Sequence, residues 1–165
     1  MDTPTILVID SDPKNLQILK ESLESSNFKV VSINNGIDAW GIIQQQKPDL
    51  IVCEVNIPGL NGFELQEKLQ KSPITASIPL VFLTNNSNPE DRQKSLRAGV
   101  KDYMIKPLHV KEVIARLQMI LRRLDRIKNE ESESNRNVVG RLEDKSVEDL
   151  VESYGLERRT GVLSL

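Results

Sequence analysis

Residues 48–62 read PDLIVCEVNIPGLNG, and this stretch contains a continuous apolar run, Leu50–Cys53, that ends at a carboxylate, Glu54. A run without polar alternation is typical of a strand covered on both faces, as in a parallel sheet. Similar short apolar runs occur at Ile6–Ile9, Val30–Val31, Leu80–Leu83 and Tyr103–Ile105. Together the five runs predict a five-stranded sheet.

Helix-like stretches separate these runs. Asp12 before Pro13, and Asn88 before Pro89, each combine an N-cap residue with a proline at the first helical position. The alternation predicts five βα units, with right-handed crossovers that place helices on both faces of the sheet. We therefore predict a doubly wound α/β domain.

Composition narrows the possible functions. The 165 residues are 38% hydrophobic and carry a net charge of -2, which favours neither nucleic acid nor an anionic membrane as a partner. No apolar run approaches the ~20 residues of a membrane span, and no export signal precedes the first strand. Cys53 is the only cysteine and His109 the only histidine of the sequence. No internal disulfide and none of the usual zinc ligand sets can therefore form within one chain. A cytoplasmic, reducing location is expected.

Polar residues follow four of the predicted strands. They are Asp10 and Glu54, which are carboxylates, Thr84, which carries a hydroxyl, and Lys106, which carries an ammonium. In open α/β sheets, the functional site lies at the carboxyl ends of the strands. The sequence therefore predicts that these four side chains share one pocket.

This order of motifs resembles the receiver domain of two-component response regulators. The matching stretches, which cover residues 5 to about 127, are Ile6–Asp10, Pro48–Glu54, Ile57–Gly62, Phe82–Thr84 and Asp102–Pro107. The resemblance implies a flavodoxin-like and CheY-like sheet of order 2-1-3-4-5 with five helices. It also implies a bacterial phosphorelay signalling module rather than an enzyme.

The resemblance assigns expected roles to the pocket. In that family two acidic residues after strand one help to hold Mg²⁺, and an aspartate at the end of strand three accepts a phosphoryl group from a histidine kinase. A threonine or serine and a lysine bind the phosphoryl oxygens, and Thr84 and Lys106 match them. Tyr103 matches an aromatic residue that changes rotamer on switching, although it could equally serve only to pack on the sheet.

Two departures from the family pattern decide the expected function. Glu54 replaces the phosphoacceptor aspartate, and its extra methylene moves the carboxylate into the space of the phosphoryl group; a misplacement of about 1 Å can slow a reaction ~10²-fold. Ser11 replaces the second acid, so the metal set of Asp10, Glu54 and the backbone of Asn56 should bind Mg²⁺ weakly or not at all. No other cofactor is expected.

We therefore expect a phosphorylation-independent protein-interaction module. Glu54 could imitate a phosphorylated aspartate, though with a charge of about -1 rather than ~-2. Alternatively it could merely neutralise Lys106 and leave the domain without a switch. The sequence leaves both possibilities open.

The family implies a partner surface formed by the fourth helix, fifth strand and fifth helix. On this surface we single out Arg97, Lys101, Asp102 and Arg116. Protein partners, including a second copy of the chain, are expected there, and no direct contact with nucleic acid or membrane.

The chain is expected to divide into a receiver domain at 1–127, a polar linker at 128–138 and the partial start of a second domain at 139–165. Motifs in this tail are similar to the opening of PATAN-type domains, with a helix near 147–156 and a strand at 160–165. The apolar stripe from Val110 to Ile127 indicates a helix docked on the sheet, or alternatively a short coiled coil.

Rival functions remain. One is a working receiver that uses Glu54 or Asp10 as a non-standard acceptor. Another is a flavodoxin-like small-ligand binder, although Asp10–Asp12 stands where a glycine-rich phosphate loop would be. A DNA-binding regulator is disfavoured, because the short tail offers no helix-turn-helix.

Overall fold

The computed structural model describes residues 2–143, which form a five-stranded parallel sheet of order β2-β1-β3-β4-β5. Its elements are β1 (Thr5–Ile9), α1 (Pro13–Ser25), β2 (Lys29–Ile33), α2 (Gly36–Gln46), β3 (Leu50–Cys53), α3 (Gly62–Lys71), β4 (Leu80–Thr84), α4 (Pro89–Arg97), β5 (Asp102–Ile105) and α5 (Val110–Glu143). The predicted fold class and strand order are confirmed.

The central strands are covered on both faces, which explains their uninterrupted apolar runs. In β1, Leu7 and Ile9 join the hydrophobic cluster that includes residues of α2 and α3, whereas Ile6 and Val8 join the cluster that includes residues of α1 and α5. All four side chains are fully buried. Because alternate residues of a strand face opposite sides, each face needs its own apolar residues.

Polar caps define where the helices that follow the strands begin. Asp12 accepts a hydrogen bond from the backbone N–H of Lys14 and caps α1, as predicted. Asn61 and Glu64 form a reciprocal capping box at α3. Each cap satisfies backbone donors that have no partner within the helix. The caps thereby fix the geometry of the loops that leave the carboxyl ends of the strands.

Helix α5 extends through the stretch that was predicted as a polar linker. Residues 128–138 are helical and continue α5 to Glu143. The polar composition was misleading because the stretch contains neither proline nor glycine, and its side chains can bond along the helix, as Arg136 does to Ser132 at 3.3 Å. A fully solvated helix lacks the apolar stripe from which helices are predicted.

The chain divides into two units, Met1–Arg122 and Arg123–Leu165, so the predicted boundary at 127 lies within the second unit. The tail helix near 147–156 and the strand at 160–165 lie outside the described residues, and the PATAN-like assignment of 139–165 stays a prediction. Within residues 2–143, no helix has the length and apolar character needed to cross a membrane.

The loop after β3 packs against the first residue of α2. The backbone N–H of Gly36 donates to the Pro58 carbonyl at 2.9 Å, and a Cβ at Gly36 would lie only 1.9 Å from the Leu60 carbonyl oxygen. Since that oxygen belongs to the backbone, it can yield only if the loop itself moves. Glycine is therefore needed here for a close approach of two backbones.

A pair of glycine substitutions tests this contact. Gly36→Ala should lower the free energy of unfolding by about 1–3 kcal/mol, because the loop must shift to admit the methyl group. Gly41→Ala is the matched control in the same helix, where nothing lies within 4 Å of the added Cβ. It should raise stability by about 0.5–1 kcal/mol. Urea denaturation measures both, and equal effects would contradict the close approach.

Candidate functional site

The strand ends bring the four predicted pocket residues together. Asp10 and Glu54 follow β1 and β3, Thr84 ends β4, and Lys106 follows β5. The Glu54 N–H donates to the Ile9 carbonyl at 2.9 Å, and the Lys106 N–H donates to the Thr84 carbonyl at 2.8 Å. These bonds extend the sheet register by one residue and align the side chains along one edge.

Glu54 occupies the middle of the pocket, and only 7% of its surface is exposed. Its Oε1 accepts hydrogen bonds from the Thr84 hydroxyl at 2.6 Å and from the Val55 N–H at 2.8 Å, with the Asn56 N–H farther away at 3.4 Å. Its Oε2 lies 2.8 Å from Lys106 Nζ in an ion contact that lacks hydrogen-bond alignment. Both carboxylate oxygens are thus engaged by groups of the protein.

Lys106 joins the two carboxylates. Its Nζ lies 2.7 Å from Asp10 Oδ2 and 2.8 Å from Glu54 Oε2, and 8% of its side chain is exposed. Burial lowers the pKa of Lys106, but the hydrogen bond to Asp10 and the attraction of both carboxylates outweigh that effect and raise the pKa above its usual value. The ammonium is therefore charged throughout the physiological range.

The carboxylates of the predicted magnesium set are engaged by groups of the protein. Asp10 Oδ1 accepts the Asp12 N–H at 2.9 Å, and its Oδ2 contacts Lys106. Asp12 uses its own carboxylate to cap α1, while Ser11 is exposed and brings only a hydroxyl. Across the described residues, no three His, Cys, Asp or Glu side chains form a group that could hold a metal ion. Mg²⁺ requires near-octahedral oxygen ligands, and the carboxylate oxygens here already face protein donors.

Tyr103 points into the protein beside the pocket. Its hydroxyl donates to the Asn86 carbonyl at 2.6 Å, and its ring meets Phe82 edge-on, with 6.2 Å between the ring centroids. Burial is the main reason that the pKa of Tyr103 is raised. Tyr103 therefore packs against Phe82 of the sheet and also donates a hydrogen bond to the loop after β4. Its contacts are thus not limited to packing on the sheet.

Asn86 was not singled out from the sequence. Its N–H donates to the Thr84 hydroxyl oxygen at 3.2 Å, and its carbonyl receives the Tyr103 hydroxyl. The available signal was the pair Asn85–Asn86 directly after Thr84, since asparagine side chains often bond to nearby backbone in loops. Which of the two would face the pocket could not be read from their order.

The residues predicted for the partner surface lie on α4, β5 and α5 and in the turn between α4 and β5. Arg116 binds Asp102 through two contacts of 3.0 and 3.1 Å and Glu112 at 2.8 Å. Arg97 and Lys101 are exposed. The Arg116–Glu112 pair is more exposed than the part-buried Arg116–Asp102 pair, and exposed ion pairs contribute little to stability.

Comparisons with known proteins identify the family to which this fold belongs. A family model described as a response regulator receiver domain matches residues 6–118. The DNA-binding dual master transcriptional regulator RpaA of Synechocystis sp. is 35% identical over 124 residues, which cover 75% of this chain and 52% of RpaA. The chain thus spans about half the length of RpaA and of several other curated relatives.

A shorter relative and a solved structure match over nearly their whole lengths. Protein PilH of Pseudomonas aeruginosa is 30% identical over 116 residues, which cover 70% of this chain and 96% of PilH. The receiver domain of the Francisella response regulator 1452 has a TM-score of 0.69 at 28% identity, with coverage of 74% of this chain and 99% of that domain.

Removal of the central cation tests the electrostatics of the pocket. Lys106→Met should lower the free energy of unfolding by about 3–5 kcal/mol at pH 7, because it leaves two buried carboxylates without a cation. Lys101→Met, at an exposed lysine, is the control and should have little effect.

The same pair of variants has a defined pH dependence. Because folding raises the pKa of Lys106, its contribution is complete below the unfolded value of about 10.4 and is lost as the pH rises through the folded value. The stability difference between the native chain and Lys106→Met, measured by denaturation at several pH values, should therefore shrink as the pH rises above about 10. A difference that is already absent at pH 7 would contradict the ion contacts.

Proposed function

The chain belongs to the response regulator receiver family, and from this premise we propose that it is a receiver whose signalling arrangement is held by Glu54 without phosphorylation. It acts as a protein-interaction module in bacterial two-component signalling, in the cytoplasm, and not as a phosphoacceptor. One observation carries the proposal: a single carboxylate contacts both the Thr84 hydroxyl and the Lys106 ammonium. These are the residue types that bind phosphoryl oxygens in the family.

The contacts of Glu54 leave no oxygen free for phosphoryl transfer. In-line attack on phosphorus needs an unengaged carboxylate oxygen and a metal-held donor. Oε1 already accepts hydrogen bonds from Thr84, Val55 and, at a longer distance, Asn56, and Oε2 lies against Lys106. With Ser11 in place of an acid, the metal that would hold the donor also lacks a ligand.

We favour the possibility that Glu54 imitates a phosphorylated aspartate over the alternative that it only neutralises Lys106. If Glu54 only neutralised Lys106, nothing would require Thr84 to turn toward the acidic centre. Instead the Thr84 hydroxyl lies 2.6 Å from Oε1, and the inward Tyr103 hydroxyl binds the loop that follows Thr84. A state is stabilised by contacts that it alone makes, and we propose that these two contacts belong to the signalling state.

The proposed partner surface consists of α4, β5 and α5. Exposed apolar side chains occur on each of the three elements, at Leu96, Ile105 and Met119, in addition to the charged residues predicted there. Exposed apolar groups rimmed by charges are typical of protein contacts. The occupant is a protein, and a second copy of the chain is the first candidate to examine.

The second candidate function is a receiver phosphorylated on a non-standard acceptor. Asp10 is the residue to examine, because it is a second carboxylate in the same pocket. Its two oxygens face the Asp12 N–H and Lys106, which makes it a poor nucleophile.

Incubation with acetyl phosphate and Mg²⁺, followed by intact-mass measurement, separates the two candidates. The native chain should gain no phosphoryl group. The double variant Ser11→Asp/Glu54→Asp should gain one, because it restores both the missing metal ligand and the shorter acceptor. Glu54→Asp alone should react less than the double variant. A phosphoryl adduct on the native chain, located at Asp10 or Glu54, would contradict the proposed function.

A further inference from the structure

Residues 123–140 of α5 form a solvated helical segment whose apolar side chains lie near its two ends. Ile127 is 50% exposed near one end, and Val138 and Val139 are each 52% exposed near the other. Leu124 is partly exposed. Most helical stability in proteins comes from packing, so a helix without tertiary contacts is only marginally stable in water. Exposed aliphatic groups on such a segment are therefore candidates for a contact with another protein.

The spacing of this segment matches one seam of a two-helix coiled coil. Positions 124, 127, 131, 134 and 138 alternate by three and four residues, so their side chains share one side of the helix. The seam is apolar at Leu124, Ile127 and Val138, but it is polar in its middle, at Glu131 and Ser134. A polar residue inside a seam weakens the pairing and selects its register and direction. Glu131 therefore restricts how a second helix can pair with this one.

Charge disfavours a parallel pair of two such segments. In a parallel pair in register, each Glu131 would meet the Glu131 of the second copy inside the seam. Arg123 and Lys128 occupy the two positions that flank the seam, and these positions face each other across a parallel pair. Both contacts would join like charges and would cost free energy. An antiparallel pair makes neither contact.

We propose that residues 123–140 pair with the same segment of a second copy of the chain as an antiparallel helix pair. A twofold axis between residues 132 and 133 sets Ile127 against Val138 of the second copy, and symmetry repeats this contact. In the same register Glu131 lies beside Ser134 of the second copy, whose hydroxyl can donate to the carboxylate. Apolar side chains thus meet apolar side chains, and each Glu131 gains a donor. The inference goes beyond the proposed function, since it involves neither Glu54 nor its pocket.

Disulfide cross-linking between two variants of the full chain tests the direction of pairing. Ile127→Cys and Val138→Cys chains are mixed and oxidised, and intact mass identifies the linked products. The mixed product should exceed either homodimer by about tenfold, because only antiparallel pairing brings the Cβ atoms of these two positions close together. Cys53 is fully buried and should not react. A predominant Ile127→Cys homodimer, or no cross-linked product, would overturn the inference.

Sedimentation over a range of concentrations measures the strength of the dimer. Ile127→Asp buries a carboxylate in the apolar contact and should raise the dissociation constant at least about tenfold. Asn129→Asp is the matched control, because it adds the same charge at an exposed position on the opposite side of the helix, and its effect should stay below about twofold.

Two outcomes of the sedimentation experiment would overturn the inference. One is a native chain that stays monomeric at every concentration. The other is a dimer that persists in Ile127→Asp but is lost in Ile105→Asp, which would place the second copy on the surface of α4, β5 and α5 instead. Circular dichroism of each variant checks that the receiver fold is retained, so that loss of the dimer cannot be mistaken for unfolding.

Discussion

Two carboxylates, Asp10 and Glu54, lie against one ammonium, Lys106, where less than a tenth of each side chain is exposed. Such a group does not by itself make a fold stable, because removing charges from water is costly. It does favour this arrangement of the pocket, since the loss of either ion contact leaves a buried carboxylate unpaired. The position of Glu54, and through it the hydroxyl of Thr84, follows from this constraint.

Much of the fold could be predicted because the physical signals are local. The continuous apolar run Leu50–Cys53 must be covered on both faces, and Asp12 before Pro13 is a strong helix start. The polar half of α5 could not be predicted in this way. Its residues 128–138 are solvated, so no burial pattern distinguishes helix from linker there.

The members of the candidate site could also be predicted, since the ends of parallel strands meet along one edge. Their hydrogen bonds could not. Whether Glu54 merely neutralises Lys106 or also engages Thr84 depends on which way each carboxylate oxygen points. The part played by Asn86 depends likewise on the shape of the loop after β4, which sequence spacing leaves undetermined.

The most direct measurement is a high-resolution crystal structure of the chain after exposure to Mg²⁺ and beryllium fluoride, a phosphoryl mimic. We expect no metal beside Asp10 and no beryllium fluoride adduct on Glu54. We also expect Oε1 to keep its hydrogen bond to the Thr84 hydroxyl and Oε2 to keep its contact with Lys106 Nζ. Density for a metal-held beryllium fluoride on a Glu54 carboxylate turned away from Thr84 would contradict the proposed role of Glu54.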